Sequence, residues 1–205
     1  MREPFSTAAQ QREADMLGMY LFLASEVLLF GGLFAGALTY RILYPEAVVA
    51  ASARLHVWIG AANTALLLTS SLLVALAVQA ADRGLRRPAA ALLSGAAGLG
   101  FGFLVLKAVE YTKEIHQGLL PGFGGRFDFS SPVEQLFMNL YLVGTGLHAA
   151  HMTVGIAILA GLAWRIGRRS LPLPERAVTV AVCGLYWHLV DIVWVFLYPV
   201  LYLAR

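Results

Sequence analysis

One cysteine among 205 residues, Cys183, leaves nothing with which to form an intrachain disulfide and excludes a cysteine-rich metal site. Charge is scarce too: Asp, Glu, Lys and Arg make up 13% of the chain, where soluble domains carry about a quarter. So few charges cannot clothe a water-soluble globule of this length. Residues 1–16 are polar and lack the apolar stretch of a cleavable signal peptide, so the first apolar run is expected to act as the insertion signal. Internal repeats and low-complexity tracts are absent, which argues against a transporter built from inverted halves.

What remains is apolar. Hydrophobic residues are 59% of the chain and the mean hydropathy is +0.71. Five runs are long enough to cross a bilayer core of roughly 30 Å as helices. The chain therefore reads as all-α, an integral membrane bundle of five transmembrane helices at about 17–43, 57–80, 89–115, 132–166 and 174–203. These form a single membrane domain, 17–205, behind a polar tail, 1–16. The segment from Gln117 to Ser131 is the one long connection, and Pro132 suits the first turn of the fourth span.

The basic pI of 9.2 rests on three net charges lying in short loops, a topology signal and not a nucleic-acid surface. Arg2, Arg12, Arg83, Arg86, Arg87, Arg165, Arg168, Arg169 and Arg176 flank one side of the spans, and Arg41, Arg54, Lys113, Arg126 and Arg205 the other. The first side is the more basic and is expected to be cytoplasmic. That puts the N-terminus in the cytoplasm and the C-terminus outside. Gly32 with Gly36, Gly98 with Gly102, and Gly144 with Gly155 are expected to serve helix packing.

A few polar residues interrupt the spans. Glu26 lies about 14 Å along the first run, near the bilayer middle, at an address costing a few kcal/mol for an ionised carboxylate. With no basic residue within one turn of it, its partner must come from another helix or chain. Lys107 and Glu110 are three apart and can neutralise each other. His148 and His151, and His188 and Asp191, are also three apart, each pair expected on one side of its helix. Asn63, Thr64, Thr69, Ser70 and Ser71 add an amide and hydroxyls on the second span.

Three chemistries fit such a set. His148, His151 and His188 could ligate haem or metal in a stand-alone membrane protein. Glu26, Glu110, His148 and Asp191 could step protons. All of them could instead fix the bundle through interhelical hydrogen bonds and ion pairs. The three-residue spacing of the close histidines does not suit a ligand pair, which favours the last reading except at Glu26, where a proton-linked role stands beside it. The aromatic residues of the fifth span, Tyr186, Trp187, Trp194, Tyr198 and Tyr202, are expected to be anchors or core.

The segments LFLASEVLLFGGLF, NTALLLTSS, KAVEY, GTGLHAAHMTVG and YWHLVDIVWVFLYPVLYL, in this order, resemble subunit III of haem-copper terminal oxidases, the cytochrome c oxidase subunit III family. The likeness runs over nearly all of residues 17–203 and points to the short five-helix bacterial form, in the inner membrane. It implies a non-redox accessory subunit of an O2-reducing, proton-translocating complex. Haem and copper would sit in partner subunits I and II, with this chain packing on subunit I and supporting proton uptake and complex stability. The resemblance places Glu26 at the family's buried carboxylate, Glu110 at its EY glutamate, and His148, His151, His188 and Asp191 at polar positions of the last two helices. It implies a possible bound phospholipid, although the short form lacks two helices of the lipid cleft. Relatives attached to quinol oxidases and to nitric oxide reductase are the alternatives within the family.

Overall fold

The computed structural model describes residues 7–118 and 132–204; the long connection before Pro132, with Arg126, and the terminal Arg2 and Arg205 lie outside the described residues. Six helices make up the described chain: α1 Ala8–Leu43, α2 Pro45–Ala53, α3 Val57–Asp82, α4 Arg86–His116, α5 Pro132–Gly167 and α6 Ala177–Tyr202. All but α2 are long and apolar enough to cross a membrane. The chain is a multi-pass membrane protein.

Two helix starts and one additional helix differ from what was expected. Helix α1 begins at Ala8, where Thr7 caps it by accepting a hydrogen bond from the Gln10 amide, so most of the polar tail is the first turns of a helix. At 36 residues α1 is about 54 Å long and must project well beyond a 30 Å hydrocarbon layer. The last span starts at Ala177, because Pro172 and Pro174 belong to the turn that precedes it. The short helix α2 was not expected. Pro45 ends α1, having no N–H to continue it, and sits in the first turn of α2, where none is needed.

Helices α3, α4, α5 and α6 pack around a common core, with α4 against both α3 and α5 and α6 closing the other side against the same two. Trp187 of α6 is the wedge between them. Its indole N–H donates to Ser70 Oγ of α3 at 3.0 Å. Its ring lies so close to Gly100 of α4 and Gly155 of α5 that a Cβ there would come within 2.5 and 2.8 Å of it. Side chains at those two positions would push the helices apart.

Helix α1 is different. It leans on α6 and α5 from outside, burying only Phe30 and Ala37 among its described side chains while Leu21, Leu28 and Ile42 stay exposed. The small-residue pairs divide the same way. Gly155 and Gly144 sit against other helices, but a Cβ at Gly32, Gly36 or Gly98 would meet nothing within 4 Å. Gly32, Gly36 and Gly98 therefore have no close packing partner among the described residues, whereas Gly102 would be in ordinary contact with Leu66 of α3 at 3.9 Å.

Candidate functional site

Two groups of ionisable side chains meet between the helices, and the larger is centred on Lys107. Its ammonium has three protons and three acceptors: Glu110 Oε2 at 2.9 Å, Tyr141 Oη at 3.1 Å and Tyr202 Oη at 2.8 Å. The rings of Tyr111, Tyr141, Trp194 and Tyr202 surround the same nitrogen, with centroids 4.9 to 5.5 Å away. Desolvating a cation is tolerable only with this kind of compensation, hydrogen bonds in full plus the negative faces of aromatic rings. Tyr141 in turn donates to Glu114 Oε1 at 2.8 Å. Lys107, Glu110, Glu114, Tyr141 and Tyr202 are all buried.

Glu114, Tyr141 and Thr145, which bonds Tyr111, were not singled out from the sequence. A signal existed for the first. Lys107, Glu110 and Glu114 are spaced three and four apart, the repeat that keeps side chains on one helix face. Tyr141 and Tyr202 come from other helices, and no local pattern announces them.

The second group joins α1 to α5. Glu26 Oε2 lies 2.9 Å from His151 Nε2, and His151 Nδ1 faces the Leu147 carbonyl at 2.9 Å. The partner of Glu26 thus comes from another helix, as its surroundings in sequence required. Phe30 stacks edge-on against the imidazole, and Tyr186 of α6 donates to the His151 carbonyl at 3.0 Å. The pair borders a groove of about 550 Å3 lined by Met19, Phe22, Ile158, Cys183 and Tyr186, open along the face that would meet lipid.

The histidines do not converge. His148, fully buried, lies between the Phe103 and Trp194 rings, both centroids 5.3 Å away, with no hydrogen bond to either nitrogen. His151 turns away to Glu26. His188 meets Ser71 Oγ at 2.7 Å through Nδ1, on the α3 side of α6, and Asp191 is buried one turn on. His148 and His151 are about 60° apart on α5, as their spacing requires, but they face different neighbours, His148 between α4 and α6 and His151 toward α1. Among the described residues no three His, Cys, Asp or Glu side chains are grouped to hold a metal. The surroundings of His148 are aromatic and give its nitrogens no second ligand.

These features define a class: a multi-pass helical membrane protein with ionisable groups placed between its helices. The model of the family "Cytochrome c oxidase subunit III" matches residues 6–204. A cytochrome c oxidase subunit 3 of Thermostichus vulcanus is 31% identical over 200 residues, 96% of this chain and 90% of the relative. A quinol oxidase subunit 3 of Bacillus subtilis is 27% identical over 202 residues, covering 98% and 92%. A haem-copper oxidase subunit I+III of Aeropyrum pernix is 28% identical over 191 residues, 91% of this chain but 22% of that much longer protein. The chain belongs to the cytochrome c oxidase subunit III family.

Proposed function

We propose that this chain is the accessory subunit III of a bacterial haem-copper terminal oxidase, carrying no haem or copper of its own, and that the metal centres sit in partner subunits I and II. The observation that carries this is the fate of the three intramembrane histidines. Each is spent in a separate setting, one among aromatic rings, one on Glu26 and one on Ser71. Subunit I is the proposed neighbour. The Aeropyrum relative, named as subunits I and III in one chain, supports that pairing.

The proposed setting is the bacterial inner membrane, with the N-terminus and the arginine-rich connections in the cytoplasm and the C-terminus outside. The groove beside Glu26 and His151 is the place for a phospholipid, since its walls are apolar and one polar pair lies at its edge. Glu26 is the proposed proton-linked carboxylate, coupled to turnover through His151. The relatives named above include both cytochrome c and quinol oxidases, so the reading extends to the oxidase class and leaves the donor to the partner subunits.

The test is a visible spectrum with metal analysis on the complex purified from its native membrane, repeated on this chain after separation. Haem and copper should accompany the complex and leave the isolated chain, and the haem and donor then name the branch. Metal or haem retained by the isolated chain would sink the proposal. Non-haem iron in the complex in place of copper would point to the nitric oxide reductase relative. Glu26→Gln should leave the haem content of the complex unchanged and alter only proton uptake or turnover lifetime.

A further inference from the structure

We propose that Glu110 and Glu114 share one bound proton, carried on Glu114, so that the cage around Lys107 is a closed proton-binding site separate from Glu26. The cage holds one ammonium and two carboxylates, all buried. Lys107 spends one of its three donors on Glu110 and none on Glu114, which is left with a single neutral donor, the Tyr141 hydroxyl. A second ionised carboxylate would be a buried net charge with no further cation among the described residues to balance it.

Two atoms point to where the proton goes. Glu110 Oε1 and Glu114 Oε2 are both buried and have no hydrogen-bond partner among the described residues. As carboxylate oxygens both can only accept, and neither can satisfy the other. A proton added to Glu114 Oε2 turns the carboxylate into a carboxylic acid with one O–H donor, and Glu110 Oε1, one turn away on the same face of α4, is an acceptor in need of one. Glu110 keeps its charge for Lys107. The balance is one proton taken up and one negative charge removed, leaving the cage neutral.

Among the described residues, the titratable groups facing Glu114 are Lys107, Glu110 and Tyr111 on α4, Tyr141 on α5 and Tyr202 on α6. Lys113 and His116, its neighbours along α4, are exposed. Of the facing groups, Lys107 alone is a base that could hold the proton in place of a carboxylate, and it already presents three protons to three acceptors.

The experiment is infrared difference spectroscopy of the intact purified complex at pH 7, wild type minus Glu114→Gln, with assembly yield as a second readout. Glutamine has the shape of a protonated glutamate and also offers a donor, so the variant should assemble to within twofold of wild type. The difference spectrum should show loss of one carboxylic-acid carbonyl band per chain. Glu110→Gln, which takes away the charge that Lys107 needs, should cut assembly at least tenfold. Tyr141→Phe should shift the Glu114 carbonyl band by removing its hydrogen bond, which a merely structural Glu114 without a proton would not show. Loss of a carboxylate band in place of the acid band would overturn the proposal. So would Glu114→Gln assembling as poorly as Glu110→Gln, or an acid band that is unmoved by Tyr141→Phe.

Discussion

The interior of the α3–α6 bundle and the seam between it and α1 solve the same problem in opposite ways. Both put ionisable groups into a setting where water is absent. Around Lys107 the solution is closure: every ammonium proton is matched, four rings surround it, and three helices contribute. At Glu26 the solution is a single contact to His151, both side chains keep some exposure at 13% and 18%, and a groove runs beside them. The closed arrangement suits a joint that must not move. The open one suits a group that meets something outside this chain.

Breaking the closed side should cost most. Lys107→Met strands Glu110 as an unpaired buried carboxylate, with an expected loss of about 3–5 kcal/mol, read as a fall in the denaturant or temperature midpoint of the complex. The double variant Lys107→Met with Glu110→Met removes both charges and should recover much of that loss. A double variant as unstable as the single one would mean that the pair is not the source of the effect.

Packing gives the next contrast. Gly100→Leu must displace Trp187 from between the helices and should cost about 1–3 kcal/mol. Gly98→Leu, two residues away with open space around it, should leave the separated chain unchanged. If Gly98→Leu nevertheless lowers the yield of the complete complex, that face of α4 is covered by a partner. A smaller effect is expected of Ser71→Ala, which deletes the hydrogen bond to His188 for about 1 kcal/mol, measured in the same unfolding assay.

The smallest stability change belongs to Glu26→Gln. The glutamine amide keeps the shape that sits beside His151, and the site is partly open, so the expected loss is under about 1 kcal/mol. A loss as large as that of Lys107→Met would erase the distinction between the two regions.

The local residues were enough to show the five spans, because hydrophobic length is a property of neighbours in sequence. They also showed that Glu26 needed a partner from elsewhere and that Lys107 and Glu110 could meet, since the first is a matter of depth and the second of helical spacing. They did not show how α1, which carries Glu26 within its apolar run, stands to the other helices. It is the peripheral helix, and Trp187 is closer to being the centre.

The divergence of His148 from His151 shows where local pattern ends. Three residues along a helix leave two side chains about 60° apart, close enough to share a face or to lie on either side of its edge. The rotation of α5 decides which, and that rotation is set by Trp194 and Phe103 on one side and Glu26 and Phe30 on the other. The cage follows the same logic, since Tyr141 and Tyr202 are 34 and 95 positions from Lys107 and meet it only once the helices are packed. Which segments enter the membrane and which charges need company is already legible along the chain, because burying apolar length and isolating a charge carry free energies set locally. Which groups keep that company was decided by tertiary packing, because the partners stand on different helices and only the fit of rings against glycines brings them within reach.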